Sequence, residues 1–147
     1  VIQQGFDITG ITTPFYIIKD GRLLLHKRGT NCKSGVGQYD PGCGKLEFGL
    51  DIEDNIYKEI SEEYGIDKDK LEHLEQLPYH MVVGDHGRWL VAAAFLKLKD
   101  EVRMKPEPNK VLNPSFYELS KLEHLNLTPW FKESFTNYKR FFKHYLK

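Results

Sequence analysis

Between Gly42 and Ile66 the chain passes from a glycine-rich loop, Gly42-Cys43-Gly44-Lys45-Leu46-Glu47-Phe48-Gly49, into a run that an α-helix organises. Asp51 offers a side-chain cap, with Asp54 three residues later in a short version of the capping box. Ile56, Tyr57, Ile60 and Tyr64 recur at helical spacing, and Gly65 supplies the terminator. On such a helix Glu59, Glu62 and Glu63 fall within an arc of about 100° beside the apolar one. Like charges at these spacings repel, so a helix gains nothing from gathering them without a partner. One bland account is a solvated acidic face. The other is a divalent cation, since hard ions such as Mg²⁺ take carboxylate oxygens and keep waters that a phosphate can replace.

The totals narrow what such a helix serves. A chain of 147 residues with a 40% hydrophobic share suits one domain with a sizeable core, residues 1–147. Lysine plus arginine and aspartate plus glutamate both number 21, so no net field draws the chain to nucleic acid or a membrane, and a small-molecule partner is expected. From Thr128 onward, however, Lys132, Lys139, Arg140, Lys143 and Lys147 face Glu133 alone. That leaves an RNA-end substrate as a minor alternative. Cys32 and Cys43 form neither a disulfide framework nor a zinc-spaced pair, which fits a reducing, cytoplasmic setting. No apolar run reaches the length of a membrane span, and no leader is expected. Oligomeric state is not legible.

The elements around the focal stretch read as strands. Val1 to Thr13 suits an arm or short edge strand. Phe15-Tyr16-Ile17-Ile18 and Arg22 to Arg28 flank Asp20-Gly21, a dipeptide suited to a tight hairpin turn. Leu77 to Val83 and Arg88 to Lys99 suggest a second hairpin, its tip polar with Gly84, Asp85, His86 and Gly87. The stretch Trp89 to Leu98 is apolar on both alternations, as in a strand covered on both faces. Glu101 to Asn113 reads as a loop, Phe116-Tyr117 as a short strand, and a short helix is expected from near Ser120. Thr128-Pro129 opens one last helix with an apolar stripe of Trp130, Phe131, Phe135, Tyr138, Phe142 and Tyr145. Strands interleaved with helices predict an α/β fold, a mixed β-sheet sandwiched between α-helices.

With these pieces in place, the focal stretch resembles the signature of the Nudix hydrolases. That pattern is Gly, five residues, Glu, seven residues, then Arg-Glu-apolar-any-Glu-Glu-any-Gly-apolar. Gly44 opens it and Lys58-Glu59-Ile60-Ser61-Glu62-Glu63-Tyr64-Gly65-Ile66 closes it in register. Pro41 to Gly49 is similar to the proline-glycine lead-in of MutT-type members. Leu24-Leu25-His26-Lys27-Arg28 resembles their leucine-rich strand with its terminal arginine. A pattern of this length and fixed spacing is specific. Two positions depart from it: Leu50 replaces the first Glu and Lys58 the Arg, which in the family form an ion pair bracing loop to helix. Asp54, four residues before Lys58, is the replacement partner expected here.

The resemblance implies the Nudix fold and Mg²⁺- or Mn²⁺-dependent hydrolysis of a nucleoside diphosphate linked to another group, such as a nucleoside triphosphate or a nucleotide sugar. It implies Glu59, Glu62 and Glu63 as metal ligands and catalytic carboxylates, with a backbone carbonyl at Cys43 or Gly44 as a further ligand. MutT-type members tend to carry Glu-Pro-Glu-Lys in a later loop; this chain has Glu107-Pro108-Asn109-Lys110, so Glu107 is the candidate distant carboxylate. Arg28 is a candidate phosphate contact because its guanidinium is a forked donor. Tyr39 and Phe116 are candidate stacking partners, and His80 a candidate cleft residue. Hairpin-tip polarity accounts for Asp85, His86 and Arg88. The rival reading from another class is a non-catalytic Nudix-fold module that binds a nucleotide.

Overall fold

The computed structural model describes residues 8–84 and 87–147. Strands β1 (Gly10–Thr12), β2 (Phe15–Lys19), β3 (Arg22–Arg28) and β4 (Tyr39–Asp40) precede helix α1 (Ile52–Tyr64). A 3₁₀ turn then leads to β5 (Leu71–Gln76), β6 (His80–Gly84), β7 (Gly87–Val91), β8 (Ala94–Leu98) and β9 (Val111–Tyr117). Helices α2 (Leu119–Leu122), α3 (Pro129–Asn137) and α4 (Lys139–Tyr145) close the chain.

β2 and β3 form the expected hairpin, with Asp20 and Gly21 both at positive φ in its two-residue turn. Six strands form one mixed sheet along β4-β3-β2-β8-β5, with β9 on the other side of β3. A second sheet runs β1-β7-β6. The two sheets share one parallel ladder. Gly10 faces Trp89 and Phe15 faces Ala94, so both halves keep the same offset of 79 positions (89 − 10 and 94 − 15). Pro14, which has no N–H to donate, sits at the break between them. The expected single strand from Trp89 is thus two, β7 and β8, divided at Ala92-Ala93 between different sheets. Asp85, His86 and most of the expected N-terminal arm lie outside the described residues.

Alternation along the strands feeds two cores. Phe15, Ile17, Leu24, Ala94 and Leu96 pack with Ile56, Ile60 and Tyr64 of α1. Tyr16, Ile18, Leu23, Leu25 and Phe95 pack with Phe131, Phe135, Tyr138 and Phe142 of the terminal helices. The sheet is therefore covered on both faces, as the double alternation implied. The last helix breaks into α3 and α4 at Tyr138, whose hydroxyl donates to the Pro78 carbonyl. β5 and the first half of β9 were not expected. β5 carries Glu72, His73 and Glu75 on a half-exposed edge strand, which hides its apolar alternation.

Candidate active site

The α1 helix begins and ends where its residues dictate. Asp51 Oδ1 accepts from the Asp54 N–H at 2.8 Å, and Gly65 closes the helix at φ 66°. The loop before α1 is held to the sheet and to the helix. Thr13 donates its N–H and its hydroxyl to the Gly44 carbonyl at 2.8 and 3.2 Å, and the Leu46 N–H donates to Ile11. Asn55, fully buried on α1, donates to Thr13 Oγ1 at 2.8 Å and to the Lys45 carbonyl at 3.1 Å. Its own oxygen accepts from the Glu47 N–H at 3.2 Å. One amide thus pins three points of the loop assembly.

Glycine is required where this loop meets the carboxylates. A Cβ on Gly44 would lie 2.2 Å from Glu59 Cδ, and one on Gly42 would lie 2.7 Å from Glu63 Oε2. The backbone of the loop and the carboxyl groups therefore touch directly.

Glu59, Glu62 and Glu63 line a cleft of about 360 Å³ together with Arg28, Lys33, Glu107 and Lys110. Glu63 is the most enclosed, and its Oε2 is buried with no hydrogen-bond partner among the described residues. Burial pushes its carboxyl well above the usual carboxylate range, and the nearby Asp40, Glu59 and Glu107 add to the effect. Glu59 is raised as well, by burial first and then by Glu62. Glu107 is brought there by the backbone. Its N–H donates to the Glu63 carbonyl at 2.9 Å, just as Lys105 N–H bonds the Tyr64 carbonyl at the end of α1. Asn109 adopts φ 61° in the turn that follows, a conformation asparagine tolerates well.

The brace between loop and helix has moved rather than vanished. Lys58 Nζ lies 2.8 Å from Glu47 Oε1 and 2.7 Å from Glu62 Oε1, and these two contacts hold its ammonium above the usual lysine range. Asp54, the partner expected from spacing, forms no ion pair with Lys58. The cation reaches a carboxylate three residues upstream of Leu50 because the loop folds back over α1. Among the described residues no three acidic, histidine or cysteine side chains converge into a ready-made cation cage. Lys58 holds one Glu62 oxygen at 2.7 Å.

The donor set nevertheless suits a hard divalent ion. It offers an orphaned buried carboxylate oxygen, a second carboxyl packed on the loop backbone, and a third paired only with an exchangeable surface lysine. The Gly44 carbonyl accepts the Thr13 N–H at 2.8 Å and the Thr13 hydroxyl at 3.2 Å. The Cys43 carbonyl takes none among the described residues.

The remaining expected site residues divide. Arg28 and Glu107 lie in the cleft. Tyr39 does not; it packs edge-on against Tyr117 and pairs with Lys27 in the sheet. Phe116 sits against the α1-side core and beside Lys19 and Arg22, away from the carboxylates. His80 bonds the Tyr138 hydroxyl through Nδ1 at 2.6 Å and lies outside the cleft. What the sequence lacked was long-range placement: which sheet a strand joins and how far along the sheet its residues lie from α1.

Asp40 is a buried carboxylate behind Arg28 that the sequence did not reveal. It is buried, and Thr128 Oγ1, Trp130 Nε1 and the Gly42 N–H donate to it at 2.8, 2.9 and 3.1 Å. Arg28 stands 3.8 Å away and lies over the Trp130 ring at 5.1 Å. Burial lifts the Asp40 carboxyl above its ordinary range, against the three donors and Arg28, which favour the charged form. Its only sequence signal was its place before the Pro41-Gly42 turn.

The NUDIX domain family matches residues 12–138. The chain belongs to the Nudix family. By family it is a hydrolase of phosphorus-containing acid anhydrides. A Nudix hydrolase from M. smegmatis has the same fold at 14% identity and TM-score 0.71, over 89% of this chain and 83% of that one. A MutT protein from Methanosarcina mazei matches at 19% identity and TM-score 0.70, over 89% and 93%. An Ap4A hydrolase from C. elegans matches at 16% identity and TM-score 0.67, over 92% and 99%. In this Nudix chain no helix among the described residues is long and apolar enough to cross a membrane.

Proposed function

We propose that the chain hydrolyses the pyrophosphate bond of a nucleoside diphosphate linked to another group, with Mg²⁺ or Mn²⁺ held by Glu59, Glu62 and Glu63 and by the Cys43 carbonyl. The observation that carries this is the unpartnered, buried Oε2 of Glu63 in a cleft that also presents cationic side chains. A buried carboxylate oxygen without a donor is costly unless something positive completes it. A divalent ion in such a cleft screens phosphate charge and lowers the pKa of a bound water. Arg28 and Lys110 bind the phosphate oxygens, Arg28 being held in place by the Ser34 carbonyl at 2.9 Å and by Trp130. Water adds to phosphorus as the bond to the departing phosphate breaks, and its proton passes to one carboxylate of the group Glu59, Glu62, Glu63 and Glu107.

The rival is a module that binds a nucleotide without cleaving it, and the hold of Lys58 on Glu62 favours it. A panel of nucleoside triphosphates, nucleotide sugars, dinucleoside polyphosphates and capped RNA, incubated with Mg²⁺ or Mn²⁺, separates the two. The hydrolase reading expects products that disappear with Glu62→Gln and Glu63→Gln. Tight binding with no turnover at any metal concentration would leave only the module.

A further inference from the structure

Pro41-Gly42-Cys43-Gly44 carries the chain from β4 to the carboxylates, and three of its four carbonyls accept a hydrogen bond. The Tyr64 hydroxyl donates to Pro41 at 2.7 Å, the Phe15 N–H to Gly42 at 3.3 Å, and Thr13 to Gly44. The Cys43 carbonyl is the one left over among the described residues. Phe15 and Thr13 contribute backbone N–H groups, which almost any residue supplies. Tyr64 contributes a side chain, from the last position of α1 and directly after Glu63.

Tyr64 is fully buried, and its ring packs edge-on against Phe15 and His26. Its oxygen also lies 2.6 Å from His26 Nδ1. A carbonyl only accepts, so the single Tyr64 proton goes to Pro41, and the phenolic oxygen accepts from His26 Nδ1–H. Burial, and then Arg28, hold the imidazole neutral, its pKa down at about 4, so Nε2 carries no proton. His26, Tyr64 and Pro41 thus form a directed relay that joins β3, the end of α1 and the loop.

We infer that Tyr64, aligned by His26, is a positioning residue for the cation site: by holding the Pro41 carbonyl it sets the peptides that follow, so that the Cys43 carbonyl stays turned to the ion. The inference rests on the reading that Cys43 and the glutamates hold that ion. Gly42 shows why a hold is needed. It sits at φ 112°, and a Cβ that would restrict its rotation collides with Phe15 and with Glu63 Oε2. The loop therefore draws its order from its anchors rather than from its own backbone.

The chain contains its own control. On the other face of the sheet Tyr138 donates to the Pro78 carbonyl and lies 2.6 Å from His80 Nδ1, the same relay built outside the cleft. The test measures Mn²⁺ binding to the full chain through the electron spin resonance of the free ion, with urea unfolding of every variant alongside. Tyr64→Phe removes one oxygen and keeps the ring, and it should weaken Mn²⁺ by about tenfold to a hundredfold. Tyr138→Phe removes the equivalent oxygen and should cost comparable stability, yet leave Mn²⁺ affinity within about twofold of wild type. His26→Leu should weaken Mn²⁺ by about threefold or more, and His26→Asn, whose amide N–H stands where Nδ1–H does, should recover most of that. This pair covers the case in which Tyr64→Phe fails to fold. Nitrogen-15 spectra of the wild type at pH 7 should show the His26 signal as the neutral Nδ1–H tautomer.

Four results overturn the inference: Mn²⁺ affinity unchanged by Tyr64→Phe, an equal loss in Tyr138→Phe, His26→Asn no better than His26→Leu, or a His26 signal of the Nε2–H tautomer. An equal loss in both tyrosine variants would make general destabilisation the cause. A wild-type chain that binds no Mn²⁺ defeats the cation reading and this inference with it, whereas wild-type binding that survives Tyr64→Phe defeats this inference alone.

Discussion

Replacing Asn55 by alanine tests whether the loop before α1 is held by one buried amide. Asn55 is 0% exposed and makes three hydrogen bonds, to Thr13 Oγ1, the Lys45 carbonyl and the Glu47 N–H. At a net of about 1 kcal/mol per bond, their loss costs about 3 kcal/mol. Lys45 and Glu47 are exposed residues, so water can reach part of what is left unpaired, and the expected loss is about 2–3 kcal/mol. For a chain of this size that lowers the melting temperature by about 5–10 °C.

Asn55→Asp refines the test. Aspartate keeps an acceptor for Glu47 but sets oxygen against the Lys45 carbonyl and buries a charge, so at pH 7 it should destabilise at least as much as alanine. The deficit should shrink on acidification, as protonation restores a donor. Urea unfolding measures both variants, and Mn²⁺ titration follows the loop. Metal affinity should fall because the Cys43-Gly44 backbone is no longer fixed. A loss below about 0.5 kcal/mol for Asn55→Ala, with unchanged Mn²⁺ affinity, would refute the argument that this amide braces the loop.

Other outcomes follow from the same contacts. Restoring the family pair with Leu50→Glu and Lys58→Arg should leave kcat/KM within a few-fold, because Lys58 already has Glu47. A gain of several orders of magnitude would mean that the Lys58 contacts suppress the site. Glu63→Gln should raise the melting temperature of the metal-free protein at pH 7 and remove the stabilisation by added Mg²⁺. The raised carboxyl contributes stability below the unfolded value, and that contribution is lost as pH rises through the folded one. His26 behaves oppositely. Burial and then Arg28 hold its imidazole down at about 4, so its contribution is present above the unfolded value and is lost as pH falls toward 4. A shift of that size corresponds to about 3 kcal/mol, and His26→Leu should flatten the dependence of unfolding free energy on pH between 7 and 4 by that amount.

By itself the sequence determined whatever depends on neighbours along the chain. The Asp51 cap, the Gly65 terminator, the Asp20-Gly21 turn and the shared face of Glu59, Glu62 and Glu63 are consequences of local spacing and backbone preference. Those are carried by a few adjacent residues. The two-sided apolar run into β8 was legible for the same reason, since alternation states that both faces are covered without saying by what. The placement of strands was not local. Tyr39, His80 and Phe116 had suitable chemistry, but Tyr39 packs on Tyr117, His80 lies in the second sheet, and Phe116 shares the α1 face beside Lys19 and Arg22 rather than in the cleft. Nor was the partner of Lys58 local, because the helical spacing that named Asp54 says nothing about where a loop folds back. Only the tertiary structure placed Glu47 beside it and Glu107 beside Glu63, set Asp40 under Arg28 and Trp130, and closed Thr13 over the Gly44 carbonyl. Each of these joins groups distant along the chain, and long-range pairing is decided by how two cores pack on one sheet rather than by the residues flanking either partner.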